Sequence, residues 1–338
     1  MDHDPDYFPE LSACLLCEHR CGVNRMVGEL GVCRAGPPMV ASRTLHPAPP
    51  ASYTIFTASC NFKCLHCQNW TISQFPDNQM PVDGYVPAEV LAEESVRNLQ
   101  SPSGMLMGAD RIFFSGGEPT IHLPFVEKVV DKARRIYPSC KVNFDTNGFM
   151  TEESLERVLR FTTSITFDIK AFHEDTHRAL TGAPVDPVLR NAEIVARRAR
   201  DRLWEYRIVV IPEINEADIN SICKFLAGIS KDLPVCFLAF RPNFMLESHS
   251  GASLALMRKC AELAMEAGLK NSYWSGVVGI PGSSAPVKGA VIGYERAGAA
   301  LAASYAFARG CRTHPRNCRG CESLGQCPIK TYTPTRSC

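Results

Sequence analysis

Between about residues 52 and 280, short apolar runs alternate with segments of helical periodicity, and this alternation leaves few folds open to the chain. Ser52–Thr57, Arg111–Ser115, Lys141–Asp145, Ser164–Ile169, Tyr206–Ile211 and Val235–Phe240 have the length and composition of strands. Ala88–Leu99, Leu123–Ile136, Glu152–Phe161, Val188–Arg200, Asp218–Ile229 and Leu254–Ala267 read as helices. In the second of these, Leu123, Val126, Val129, Val130 and Ala133 recur on one helical face. Strands separated by helices of this length imply βαβ units and a mainly parallel sheet. Six units predict an α/β fold, a partial or full (β/α)6 barrel. Sites in such folds gather at the C-terminal ends of the strands.

The 338 residues include 16 cysteines, and these are sorted to the two ends. Cys14, Cys17, Cys21, Cys33, Cys60, Cys64 and Cys67 come early, and Cys311, Cys318, Cys321, Cys327 and Cys338 come last. Cys140, Cys223, Cys236 and Cys260 are scattered between and read as ordinary buried residues. The organisation expected is a Cys-rich metal-binding head over 1–50, a barrel over 51–270 and a Cys-rich extension over 271–338. The Pro-rich stretch Leu45-His-Pro-Ala-Pro-Pro-Ala51 should be extended and close the head. A disulfide scaffold is normally short and secreted. The start MDHDPDYFPE lacks the basic and apolar pattern of a signal peptide. The longest apolar runs fall far below the roughly 18 residues of a membrane span. These points predict a cytoplasmic protein that uses cysteine for metal, with no membrane partner. A net charge of +1 supplies no overall field for nucleic acid.

Cys60-Asn-Phe-Lys-Cys64-Leu-His-Cys67 follows directly on the first strand. So tight a CxxxCxxC loop can set three thiolates on one side of a cluster. Three ligands leave one iron of a [4Fe–4S] cube open for chemistry. A zinc site is the competing reading of the spacing alone.

With four further segments in order, this loop resembles the radical S-adenosylmethionine (SAM) enzymes, in particular the branch of the pyruvate formate-lyase activators. The likeness spans about residues 50–245. Gly116-Gly117-Glu118-Pro119 resembles the motif that contacts the SAM amino group. Asp145-Thr-Asn147-Gly resembles a segment near SAM. Asp168-Ile-Lys170 and His177…Leu180-Thr-Gly182 resemble the activator branch. Arg207 stands where relatives place a contact to the SAM carboxylate. Arg241-Pro-Asn-Phe, at the end of the sixth strand, would face substrate. His66 departs from the family, which usually has an aromatic residue before the third cysteine. Alone, Gly116-Gly117 would be a strand-to-helix turn and Asp168 a helix cap; their order behind the cysteines favours the functional reading. The resemblance implies a [4Fe–4S] cluster that chelates SAM, takes an electron from a donor such as flavodoxin or ferredoxin, and yields methionine and a 5′-deoxyadenosyl radical.

Two outer groups extend the metal reading. Cys14, Cys17, Cys21 and Cys33 can close a four-sulfur site for zinc or iron; unliganded thiols are the plain alternative. Their Cys-x-x-Cys…Cys…Asn-Arg…Gly-Glu-x-Gly-x-Cys setting also resembles the head of relatives of the same activators. Cys311, Cys318, Cys321 and Cys327 partly resemble the SPASM tail of peptide-modifying radical enzymes, with Thr331 where that pattern has a further cysteine. One auxiliary cluster or one iron or zinc ion is the expectation there.

Phe240-Arg-Pro-Asn-Phe, Asn271-Ser-Tyr-Trp-Ser-Gly276 and Ile280-Pro-Gly282 resemble the methanogen radical SAM methyltransferases that modify arginine or glutamine of methyl-coenzyme M reductase. That resemblance implies a protein or peptide substrate, methylation of an sp³ carbon, and cobalamin bound by residues about 271–310. The chain has no DxHxxG cobalamin motif. A glycyl-radical activase and a non-enzymatic metal-binding interaction protein are the alternatives.

Overall fold

The computed structural model describes residues 7–47, 49–282 and 293–335. It divides into two units, one running to Asn61 and from Thr71 to Thr166, the other comprising Phe62–Trp70 and the chain from Phe167 onward. Ala48, residues 283–292 within the expected cobalamin region, and Cys338 lie outside the described residues.

The first unit holds strands β1 (Val40–His46), β2 (Ser52–Thr57), β3 (Arg111–Gly116) and β4 (Lys141–Thr146), with helices α1 (Ala88–Leu99), α2 (Leu123–Ile136) and α3 (Glu152–Phe161). β1 pairs antiparallel with β2, whereas β2, β3 and β4 are parallel neighbours, with Tyr53 beside Ile112 and Ile112 beside Val142. The predicted stripe of α2 is the face it buries: Leu123, Val126, Val129, Val130 and Ala133 are all wholly enclosed, and α1 packs against this helix. α3 starts at Thr151, whose hydroxyl accepts the Ser154 N–H, with Glu152 and Glu153 in its first turn. Both features stabilise a helix N-terminus.

Strand β5 (Ser164–Asp168) begins in the first unit and ends in the second. The second unit continues with α4 (Glu174–Thr181), α5 (Asp186–Arg198), β6 (Leu203–Val210), α6 (Asp218–Ile229), β7 (Pro234–Ala239), α7 (Leu254–Ala267), β8 (Asn271–Ser275) and α8 (Ala297–Ala308). β6, β7 and β8 are parallel neighbours, and Arg207, Cys236 and Tyr273 form one row across them. The Tyr206 hydroxyl donates to Ala192 O of α5 at 2.6 Å. That fixes the helix-facing side of β6 and turns Glu205 and Arg207 to the opposite face.

The α/β class and the parallel pairing expected from the sequence hold. β6 starts three residues earlier than the apolar run suggests, at Leu203, and α5 two residues earlier, at Asp186. Four of the labelled elements escape the pattern. β1 and β8 are interrupted by polar residues; α4 is only eight residues long. α8 is alanine-rich on every side and packs against α4, so it has no amphipathic stripe to read. Cys140, Cys223, Cys236 and Cys260 are buried as expected. Among the described residues no helix is long and apolar enough to cross a membrane.

Candidate cluster and SAM site

In the first unit the end of β3 runs hard against the segment that leads to Cys60. Gly117 N–H donates to Thr57 O at 2.8 Å and Glu118 N–H to Ser59 O at 3.1 Å. A Cβ on Gly117 would lie 1.8 Å from Ser59 O, and one on Gly116, at φ +112°, 2.3 Å from Thr57 N. The two glycines are therefore demanded by backbone contact as well as by any ligand.

Glu118 is 1% exposed. Its Oε1 accepts from Thr120 N (3.1 Å), Thr120 Oγ1 (2.5 Å) and Thr146 Oγ1 (2.8 Å), and its Oε2 from Asn147 N (2.8 Å). Asn147 in turn donates from Nδ2 to Asn61 Oδ1 at 2.7 Å, with Cys60 Sγ at 3.7 Å. Asn61 donates to Phe149 O at 3.3 Å, and its own carbonyl lies 2.9 Å from His19 Nε2. One hydrogen-bonded chain thus links the Gly-Gly-Glu-Pro turn, the end of β4 and the first cysteine. The Glu118 side chain is spent on this scaffold; Pro119 is buried and starts the next turn. Asp145, half-buried, accepts from Ser115 Oγ at 2.7 Å and lies on the opposite side of β4 from Phe144. Asn61 and His19 were not legible as site residues, because only the fold brings Asn61 to Asn147 and His19 to Asn61.

Burial pushes the Glu118 carboxyl up to about 7, against its four donors. A carboxyl raised in the folded state favours folding below its unfolded value and loses that contribution as pH rises through the folded one. Unfolding free energy should fall between pH 4.5 and about 7 by on the order of 3 kcal/mol at ~1.36 kcal/mol per pH unit. Denaturant titrations of the wild type and Glu118→Gln across this range check it; the variant should lack that slope.

In the second unit, Lys63 N–H donates to Thr181 O at 2.8 Å and Leu65 N–H to Leu180 O at 3.0 Å. The loop carrying Cys64 and Cys67 is therefore hung on the C-terminus of α4, which gives Leu180-Thr-Gly182 a structural role. Burial pushes the Cys64 thiol up to about 12, opposed by the charges of Lys170 and Arg316. His66 is buried, and its imidazole is held down at about 3 by burial, Lys170 and His177, so it is neutral. His177 is wholly buried, with Nδ1 2.8 Å from Ala183 O and the Phe62 ring against it.

Lys170 Nζ lies 2.6 Å from Asp168 Oδ2, while the buried Asp168 Oδ1 has no hydrogen-bond partner among the described residues. Arg207 donates Nε and Nη2 to Glu205 Oε1 at 3.0 and 2.7 Å, and Tyr273 donates to the other Glu205 oxygen. Arg207, Cys236 and Tyr273 thus share one polar row, a grouping the spacing alone did not reveal. Phe244, in the Arg241-Pro-Asn-Phe stretch, is buried and stacks on Trp70 at 5.7 Å.

The head closes on itself. Burial raises the Cys17 thiol, with Cys33, Cys14 and Cys21 as further causes. Arg25 is wholly buried beside them. It donates to Ala35 O (3.1 Å), Gly36 O (2.7 Å) and Ile121 O (2.5 Å), and lies near His122 Nδ1 (3.4 Å) and Cys14 Sγ (3.7 Å). None of these partners is a carboxylate.

The tail is pinned as well. Cys318 N–H donates to Gly182 O at 2.9 Å, and Glu247 accepts from Tyr332 and from Thr335 N at 2.8 Å. Cys311 and Cys327 pack on the apolar cluster that Cys67 also touches, and Cys321 Sγ accepts from Thr313 at 3.2 Å.

Among the described residues no two cysteines form a disulfide. Among the described residues no three His, Cys, Asp or Glu side chains already converge on a single ion. A cluster several metal atoms wide does not need that convergence, and Cys60, beside an amide donor, and Cys64, beside two cations, are suited to thiolate ligation. A single ion at the head would require its thiols to turn inward. The small residues of α8 are consumed by packing: Ala299, Ala302, Ala303 and Ala306 are wholly buried, and a Cβ on Gly298 would lie 2.1 Å from Ile214 O. That leaves little of 297–308 to meet a corrin ring.

A family model described as the radical SAM superfamily matches residues 54–226, just over half of the chain. An uncharacterised protein of Methanocaldococcus jannaschii is 26% identical over 283 residues, covering 81% of this chain and 79% of its own. A pyruvate formate-lyase-activating enzyme of Staphylococcus aureus is 31% identical over 173 residues, 48% of this chain and 63% of that one. Among solved structures, Streptococcus suis SuiB bound to the precursor peptide SuiA aligns with a TM-score of 0.49 at 15% identity, covering 66% of this chain and 48% of that one.

Proposed function

The chain belongs to the radical SAM superfamily, whose members use a [4Fe–4S] cluster and SAM, and from this premise we propose that Cys60, Cys64 and Cys67 hold the cluster and that the enzyme modifies a protein substrate. When bound, such a cluster supplies the electron that cleaves the SAM sulfonium. The observation that carries the proposal is the hydrogen-bonded chain Glu118–Asn147–Asn61 ending at Cys60. In this reading Glu118 orients Asn147, and Asn147 steadies the Cys60 sulfur. The backbone at Gly116 and Gly117 and the carboxylate of Asp145 meet the SAM amino group, and Arg207, steered by Glu205, meets its carboxylate. Asp168 and Lys170 are further candidate contacts to SAM. Burial of Cys60 and Cys64 keeps water from the ligating sulfurs.

A protein substrate is supported by the relative named as an activator of pyruvate formate-lyase. Cobalamin-dependent methylation of an unactivated sp³ carbon, on glutamine or arginine of methyl-coenzyme M reductase, is the finer reading. Its corrin contacts are then confined to 271–282, 293–296 and 309–310 among the described residues. Glycyl-radical formation on a partner is the second reading, favoured by the same activator relative. The Cys14–Cys33 head holds zinc or iron for structure or electron transfer, the Arg25 cation offsetting its thiolates; flavodoxin or ferredoxin is the expected donor. Anaerobic purification with iron, sulfide, zinc, cobalt and corrinoid quantitation separates these readings. Bound corrinoid and transfer of a SAM methyl group are expected for the methyltransferase. A glycyl radical signal on the partner with no cobalt contradicts it and marks the activase.

A further inference from the structure

Arg316 is 1% exposed, and none of its partners among the described residues is an anion. Its Nη1 donates to Ala179 O at 2.6 Å and its Nη2 to Lys63 O at 2.9 Å, while its Nε has no hydrogen-bond partner. Its backbone N–H is held by the Tyr294 hydroxyl at 2.7 Å. A guanidinium taken wholly out of water with only carbonyl partners is costly unless a negative charge lies close by. Two sets of sulfur atoms are in place to supply it. Lys63 O belongs to the residue before Cys64, and the Arg316 charge acts on the Cys64 thiol. Cys318 is two residues beyond Arg316, and its sulfur and the guanidinium meet over Gly182: an ideal Cβ there would be 2.2 Å from Cys318 Sγ and 3.5 Å from Arg316 Nη2. Gly182 is at φ +83°, so glycine alone suits both the helix end and the two groups above it. Cys311 and Cys327 are near enough to Cys318 to act on it electrostatically.

We infer that Arg316 is the shared counter-charge of two thiolate centres: the loop ligand Cys64, and a metal held as thiolates by Cys311, Cys318 and Cys327. This rests on the reading that Cys60, Cys64 and Cys67 hold an iron–sulfur cluster. Arg316 is a positioning residue, acting on the loop cluster through its field and through the Lys63 carbonyl. A fixed cation beside a cluster favours its reduced, more negative state. The tail centre is a zinc ion or an iron–sulfur cluster, distinguished by quantitation.

The test uses the full chain reconstituted anaerobically with iron and sulfide, as wild type, Arg316→Gln and Arg316→Lys. The loop cluster midpoint is read by electron paramagnetic resonance during a redox titration. Arg316→Gln should lower the reduced-to-oxidised ratio at fixed potential at least tenfold, about 59 mV for one electron, and Arg316→Lys should restore most of it. Cys318→Ser with Cys327→Ser should lose one metal centre, as zinc or as iron plus sulfide, while the loop signal remains. An unchanged midpoint in folded Arg316→Gln, or an unchanged metal count in the serine variant, overturns the inference alone. If Arg316→Gln does not fold, the serine variant decides by its metal count. A wild type with no iron at the loop overturns both this inference and the reading beneath it.

Discussion

Replacing Cys60, Cys64 and Cys67 together by alanine is expected to abolish reductive cleavage of SAM, with product below detection when dithionite is the electron source. Iron should fall by about four atoms per chain, the content of one cube. Near-ultraviolet circular dichroism should be largely retained, because the loop is anchored by backbone bonds: Lys63 and Leu65 donate to Thr181 and Leu180 whatever side chain stands at Cys64. The loss would then be assigned to the ligands rather than to unfolding. Cleavage that survives in the triple variant would refute the assignment of the cluster.

The second large effect is expected at Arg25. Arg25→Met keeps much of the side-chain volume but leaves the buried carbonyls of Ala35 and Ile121, and the part-buried one of Gly36, without their donor. Each orphaned buried acceptor costs about 1–3 kcal/mol, so destabilisation of about 3 kcal/mol or more is expected in denaturant unfolding. The metal proposed for the head should be lost as well, since the variant removes the cation that would offset its thiolates. A variant within about 1 kcal/mol of wild type that still carries the head metal would show that Arg25 has neither role.

The sequence disclosed different parts of this protein to different degrees, for physical reasons. α1, α2, α3, α6 and α7 were legible to the residue because each has a buried stripe at helical spacing and a start or stop beside it. α8 was not, since an element buried on many sides by alanine has no polar face to set the period. Among the site residues, cysteine spacing and the Gly-Gly-Glu-Pro turn were visible because each is a local requirement. The Glu118 side chain is an instructive case: the sequence marks it as a SAM contact, and the fold makes it the buried anchor of Asn147. Asn61, His19 and Arg316 carry no local signal at all. Arg316 meets the Lys63 carbonyl across 253 positions of chain, and no periodicity or spacing reports a contact of that range. The same holds for the row of Arg207, Cys236 and Tyr273, which exists only through strand register.

The most direct measurement of the central claim is the product balance of the reconstituted wild type, reduced by dithionite under strict anaerobiosis and given SAM alone. 5′-Deoxyadenosine and methionine are expected in equal amounts, with formation lost when iron is removed. SAM left intact by a protein that retains its iron would contradict it.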